Sequence, residues 1–153
     1  MSLTKLIQLN SYGDERGQLI SLEGNQNIPF HIKRVYYLFD TLTDVRRGFH
    51  AHKALEQILI CIHGSCKILL DDGEKQEITT LSTPDQGLYI GSMLWREMFD
   101  FSKECVLMVL ASEHYNEEDY IRNYQQFLKL IELKSKHGEK TTPSGVSNLM
   151  SLN

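Results

Sequence analysis

The sequence has no apolar run long enough to cross a bilayer, and the N-terminus Met1-Ser2-Leu3-Thr4-Lys5-Leu6 lacks the basic segment, apolar core and small-residue cleavage site of a secretory signal. No membrane partner is expected, and the cytoplasm is the expected compartment. Cysteine is scarce. Cys61, Cys66 and Cys105 are odd in number and lack CxxC spacing, which argues against a disulfide framework or a zinc knuckle. Each lies in an apolar strand-like run, so they read as buried small hydrophobes. Positive charge is also short, with 16 Lys and Arg against 20 Asp and Glu and a net charge of −4. Such a chain has no general attraction for nucleic acid or acidic membranes, so an anionic ligand requires a local cationic cluster. Internal repeats are absent, and 153 residues suit one domain that buries a core without disulfides or a structural metal.

What is present is a series of short β-rich runs: Lys5 to Leu9, Leu19 to Leu22, Ile32 to Phe39, Gln57 to Ile62, Cys66 to Leu70, Glu77 to Leu81, Leu88 to Ile90, Met93 to Met98 and Val106 to Ala111. Turn signals separate them at Gly13-Asp14, His63-Gly64-Ser65, Asp72-Gly73 and Thr83-Pro84-Asp85-Gln86-Gly87. This is an all-β pattern, a sandwich or a barrel. Ile58 to Ile62 and Val106 to Leu110 are apolar at both alternating positions, as in strands covered on both faces by a second sheet or by another subunit. After Ser112, Asn116-Glu117-Glu118-Asp119 predicts a helix cap and acidic first turn. Tyr120, Ile121, Tyr124, Phe127, Leu128 and Ile131 follow at the spacing of one C-terminal amphipathic α-helix. Residues 1–137 are read as one domain and the polar 138–153, with Pro143 and Gly145, as a flexible tail or linker.

The most informative segment is Arg46-Arg47-Gly48-Phe49-His50-Ala51-His52-Lys53-Ala54-Leu55-Glu56-Gln57, running on to Gly64. Histidines at i and i+2 on an extended chain face the same way, so both imidazoles enter one cavity. The arrangement resembles the first motif of the cupin superfamily: Gly, HxH, three or four residues, an acidic or amide residue, then Gly. That resemblance implies a jelly-roll β-barrel with a ligand pocket in its mouth. Cupins commonly use HxH and a carboxylate to bind a metal. The second cupin motif then supplies a histidine, but in Gly87-Leu88-Tyr89-Ile90-Gly91-Ser92-Met93-Leu94-Trp95-Arg96 its place falls to Arg96, whose guanidinium cannot ligate a cation. A metal-free acid–base site with no cofactor is expected.

Asn27 to Asp40, Arg47 to Lys53, Leu69-Leu70-Asp71-Asp72-Gly73, Gly87-Leu88-Tyr89 and Asp119-Tyr120-Ile121-Arg122 together resemble the dTDP-4-keto-6-deoxyglucose 3,4-ketoisomerases over nearly the whole chain. The resemblance implies a homodimer acting on a dTDP-linked 4-keto-6-deoxyhexose. Its reaction moves the ketone from C4 to C3 through an enediol(ate), in the supply of unusual amino sugars for surface glycans. It implies His52 as the base at C3, His50 sharing or relaying the proton, and Tyr37 hydrogen-bonding the sugar oxygens. Arg47 is expected to bind the diphosphate or stabilise the enediolate, and Arg16 to contact sugar or nucleotide, with Arg96 and Lys53 as further substrate contacts. The Arg16-Gly17 pair is similar to the subgroup with a galacto-configured product. Arg96 and Phe99 stand where family members carry histidines. The alternatives are a sugar-nucleotide-binding cupin without catalysis, a related 3,5-epimerase, and a metal-dependent cupin enzyme.

Overall fold

The computed structural model describes the backbone of residues 1–141 and the side chains of residues 1–137. Twelve strands form: β1 Lys5–Gln8, β2 Tyr12–Asp14, β3 Gly17–Leu19, β4 Arg34–Leu38, β5 Arg47–His52, β6 Gln57–His63, β7 Cys66–Asp71, β8 Gln76–Leu81, β9 Gln86–Ile90, β10 Trp95–Phe99, β11 Val106–Ala111 and β12 Tyr120–Ile121. One helix follows, α1 Tyr124–Thr141. The strands build two five-stranded antiparallel sheets, ordered β1-β9-β6-β11-β4 and β12-β5-β10-β7-β8, and β2 and β3 form a separate hairpin. This is the all-β, cupin-type architecture with one C-terminal helix that the motif implies.

The two sheets close over Leu59, Cys61, Ile68, Leu70, Leu88, Leu107 and Val109. The opposite faces of β6 and β11 are buried as well, because Ile58, Ile60 and Leu110 pack under Leu9, Ile28 and Phe30. The doubly apolar patterns of these strands are therefore satisfied by the chain's own 9–32 segment. On the second sheet, Ala51 and Trp95 face outward and are covered by Ile121 and Phe127. Period-2 alternation then sends the neighbours His50, His52 and Arg96 to the inner face.

The C-terminal segment differs from the sequence expectation. Asn116 does cap, accepting from the Glu118 N–H, but it opens only a short 3-10 turn over Glu117–Asp119. Tyr120 and Ile121 then pair with His52 and Ala51 as an edge strand. The helix starts at Tyr124, with the Asn123 side chain accepting from the Gln126 N–H at 2.9 Å. Pairing to β5 outweighs the helical periodicity because it satisfies backbone groups of both strands at the mouth of the barrel. The helix continues to Thr141, across the expected 137/138 boundary; the rest of the expected tail, 142–153, lies outside the described residues.

Phe127 anchors this helix. It is fully buried, with its ring 5.9 Å from Trp95 and 5.8 Å from Tyr124, whose hydroxyl donates to Asp71 at 2.7 Å. Phe127→Ala is expected to lower unfolding free energy by about 3–5 kcal/mol in urea titrations; a loss below about 1 kcal/mol would mean that the helix is not part of the cooperative core.

Candidate active site

The site begins with a break in regular pairing. Between β5 and β10, Arg96 pairs with His50 but Glu97 pairs with Gly48, leaving Phe49 as an extra residue in a β-bulge. Gly48 and Phe49 both adopt positive φ, +96° and +57°. A Cβ on Gly48 would stand 2.9 Å from the Arg96 carbonyl oxygen, so the position needs glycine for both conformation and space. Beyond the bulge, His50 and His52 share the inner face, with ring centroids 4.9 Å apart in an edge-to-face arrangement. The Tyr120 ring lies 5.0 Å from His50 and 4.3 Å from His52.

Hydrogen bonds fix both imidazole tautomers. The His52 Nδ1–H donates to Asp119 Oδ2 at 3.1 Å, and the His50 Nδ1–H donates to the Gly48 carbonyl at 3.1 Å. Both acceptors lack a proton to give, so each ring carries its proton on Nδ1 and its lone pair on Nε2. Asp119 is itself held, accepting from the Ala54 N–H at 2.9 Å and the Leu55 N–H at 3.3 Å. His52 is 1% exposed, and its Nε2 is buried without a hydrogen-bond partner. Burial first, and the charge of Arg96 second, press the His50 pKa down to about 4 and that of His52 to about 2. The pair is neutral at physiological pH.

Arg96 is the cause of the second effect. It is 2% exposed, and among the described residues no carboxylate pairs with it. Its Nη1 donates to Gln57 Oε1 and its Nη2 to the Leu94 carbonyl at 2.9 Å, while Nε has no partner. Gln57 in turn donates to the Tyr36 hydroxyl at 2.9 Å. A metal does not fit here. Gln57 occupies the acidic-or-amide position of the cupin motif, and its oxygen is taken by a guanidinium whose fixed charge opposes a cation.

Two cavities of about 380 and 400 Å³ flank the imidazoles and share Arg34 and Tyr120 on their walls. His52 and Asp119 line the first, with His114 and Tyr115; His50, Arg47, Tyr36 and Arg122 line the second. Arg34, Arg47 and Arg122 form the cationic cluster that the acidic chain requires. Arg34 lies 5.3 Å from the Tyr36 ring centroid, and Arg122 lies 4.2 Å from that of Tyr120 while pairing with Glu117 at 2.6 and 2.9 Å. A larger apolar groove of about 550 Å³, lined by Ile20, Leu22, Ile60, Ile62 and Met108 among others, holds neither histidine.

The structure thus brings together His50, His52 and Arg47, and places the other expected site residues elsewhere. Tyr37 is 61% exposed on the outer face of β4, because strand alternation turns its neighbour Tyr36 inward. Arg16 and Gly17 sit on the β2–β3 hairpin, where Arg16 pairs with Asp14 at 2.6 Å and is exposed; neither lines the cavities. Lys53 is exposed and contributes its backbone N–H to the Asp119 carbonyl at 3.0 Å. Arg96 is sealed in the wall behind the histidines and lines neither cavity. Phe99 lies at the far end of β10 under Arg46, 3.9 Å from guanidinium to ring centre. Sequence reading missed Arg34, Tyr36, Asp119, Tyr120 and Arg122 as site residues. The available signal was the inward parity of Arg34 and Tyr36 on one strand.

Fold and site together define a small cupin-type barrel with a buried pair of neutral histidines beside an arginine cluster. Residues 2–132 match the WxcM-like, C-terminal family (FdtA), and the chain belongs to it. The TDP-4-oxo-6-deoxy-alpha-D-glucose-3,4-oxoisomerase of Aneurinibacillus thermoaerophilus is 55% identical over 127 residues, covering 83% of this chain and 91% of that protein. Among solved structures, a histidine-to-asparagine variant of the 3,4-ketoisomerase QdtA from Thermoanaerobacterium thermosaccharolyticum, in complex with TDP-4-keto-6-deoxyglucose, superposes with TM-score 0.83 at 47% identity, covering 86% of this chain and 95% of that one. The TDP-quinovose 3,4-ketoisomerase WlaRB of Campylobacter jejuni gives TM-score 0.80 at 52% identity over 84% of this chain and 99% of that one.

The depressed histidine pKa values have a consequence for folding. In the unfolded chain these imidazoles protonate below about pH 6.5, whereas in the folded barrel they stay neutral. Their contribution is therefore fully present above pH 6.5 and is lost as pH falls toward about 4. Urea midpoints are expected to drop more steeply between about pH 7 and pH 5 in the wild type than in a His50→Gln, His52→Gln double variant. Parallel slopes would contradict the assignment.

Proposed function

We propose that this chain is a dTDP-4-keto-6-deoxy-D-glucose 3,4-ketoisomerase that works by metal-free acid–base catalysis, supplying a 3-keto sugar nucleotide for amino-sugar synthesis. The observation that carries this reading is the pair of neutral imidazoles, each with its lone pair on Nε2, on the shared wall of cavities bordered by Arg34, Arg47 and Arg122. The ligands and activities in the names of the relatives support it.

The reaction needs one carbon-bound proton removed and one returned. An imidazole takes the C3 proton, and the electron pair moves to the C4 carbonyl oxygen, giving an enediolate that the adjacent arginines stabilise. The C4 oxygen then takes up a proton, the C3 hydroxyl gives one up, and the C4 carbon gains one in place of that removed from C3, which leaves the ketone at C3, a hydroxyl at C4 and the composition unchanged. On the accessibility of the two rings we assign the base to His50 in place of His52. A base must come within hydrogen-bond reach of the proton it abstracts. His50 lines the more open cavity with Arg47 and Arg122, so it is assigned to the substrate; His52, buried and tied to Asp119, stands behind it.

The reading includes a homodimer. Val35, Tyr37 and Phe39 leave an exposed apolar row on the outer face of the first sheet, beside exposed Ile62 and the apolar groove. Arg16 and Tyr37, expected at the substrate, reach a histidine cavity only as contributions from a second copy. No helix among the described residues is long and apolar enough to cross a membrane, and a cytoplasmic location is part of the proposal. So is the division into a catalytic domain over 1–137 and a tail over 138–153; the family match ends at residue 132.

The test is NMR of EDTA-treated protein with dTDP-4-keto-6-deoxyglucose in deuterated buffer. A 3-keto product carrying deuterium at C4 is expected, slowed by about 10²- to 10⁴-fold in His50→Asn. Exchange at C3 and C5 without ketone transfer would point to epimerase chemistry. Binding without any exchange would leave a sugar-nucleotide-binding protein, and activity restored only by added metal would overturn the metal-free mechanism.

A further inference from the structure

Three thiols that this chemistry does not use lie together at the far end of β6 from Gln57. Cys61 is near the end of β6, Cys66 opens β7 and Cys105 precedes β11, so a turn and two strands converge on one point. All three are at most 1% exposed, and their Sγ atoms lie within 4.8 Å of one another, with Cys61 and Cys105 3.7 Å apart. Zinc–sulfur bonds of about 2.3 Å in tetrahedral geometry set neighbouring sulfurs about 3.8 Å apart. Among the described residues this is the one group of three His, Cys, Asp or Glu donors close enough to share an ion.

The surrounding backbone holds the donors in place. The Ser65 N–H donates to Ser102 Oγ at 2.9 Å, the Ser102 N–H to the Ser65 carbonyl at 2.9 Å, and the Cys105 N–H to the Ser102 carbonyl at 3.1 Å. These bonds staple the turn before Cys66 to the loop before Cys105. Gly64, at φ +75°, seats the turn so closely that a Cβ would meet Ser102 Oγ at 2.3 Å and Cys105 Cα at 3.0 Å. His63 and Gly64 are exposed, which gives an ion a short route to Cys61.

We propose that Cys61, Cys66 and Cys105 form a thiolate site for a thiophilic divalent ion, zinc, that cross-links β6, β7 and β11 apart from the histidine cavities. Binding replaces three S–H protons by three Zn–S bonds and releases the protons, with a water molecule in the fourth position. The ion's charge overcomes the cost of burying thiolates, since a coordinated thiol is deprotonated outright. The role is stabilising, so catalysis by the histidines is independent of it.

The reduced, chelator-stripped full chain is titrated with Co(II) as the optical probe. Thiolate-to-cobalt charge-transfer absorption is expected to saturate at one ion per chain, to be displaced by Zn(II), and to require at least tenfold more cobalt in Cys66→Ser and Cys105→Val. Because core variants can fail to fold, the wild type is also read alone: one equivalent of Zn(II) is expected to raise Tm without changing the rate of ketone transfer. Absence of the charge-transfer band at one equivalent, a Tm unmoved by zinc, or full affinity in folded variants would overturn the site.

Discussion

The site is organised around a buried positive charge that has no paired carboxylate among the described residues. Arg96 is enclosed by the barrel and hydrogen-bonds to Gln57 and the Leu94 carbonyl, and its partner on the adjacent strand β5 is His50. A guanidinium cannot discharge itself by losing a proton, so its field falls on the groups that can. The two imidazoles respond by staying neutral, which leaves Nε2 lone pairs available as bases. The same field favours an anion forming nearby, as the proposed enediolate would be.

That charge also makes this cupin scaffold a poor fit for the metal that an HxH motif commonly binds. The two positions that would complete a ligand set are Gln57 and Arg96, and they hydrogen-bond to each other. Gln57 passes the contact on to Tyr36, so the wall behind the histidines is a continuous polar chain inside an otherwise apolar barrel. The bulge at Gly48 and Phe49 is its geometric counterpart, turning the chain so that Arg47 reaches the cavity mouth while His50 stays inside.

Much of the barrel was legible in the sequence because burial enforces alternation. The doubly apolar β6 and β11 are central strands, and the HxH spacing does put both rings on one inner face. The segment around Asp119 was not legible. Asn116 to Ile121 carries both a cap signature and helical spacing, and only pairing with β5, a contact across more than sixty residues of chain, makes it a turn and an edge strand. That long-range pairing delivers Asp119 and Tyr120 to the histidines. Tyr36 and Tyr37 are adjacent aromatics on one strand, and choosing which of them lines this chain's own cavity requires knowing which face is inward. Arg16 stands on a hairpin away from both cavities of its own chain, a separation that its local motif does not reveal.

The central claim is that Arg96 and burial hold two neutral, Nδ1-protonated imidazoles in the barrel. The most direct measurement is a nitrogen-15 NMR titration of the His50 and His52 rings in the wild type and in Arg96→Met. In the wild type both rings should remain neutral from about pH 8 down to about pH 5, with His50 titrating at higher pH once the guanidinium is gone. Rings that titrate near about pH 6.5 with Arg96 in place, or a midpoint unmoved by its removal, would contradict the claim.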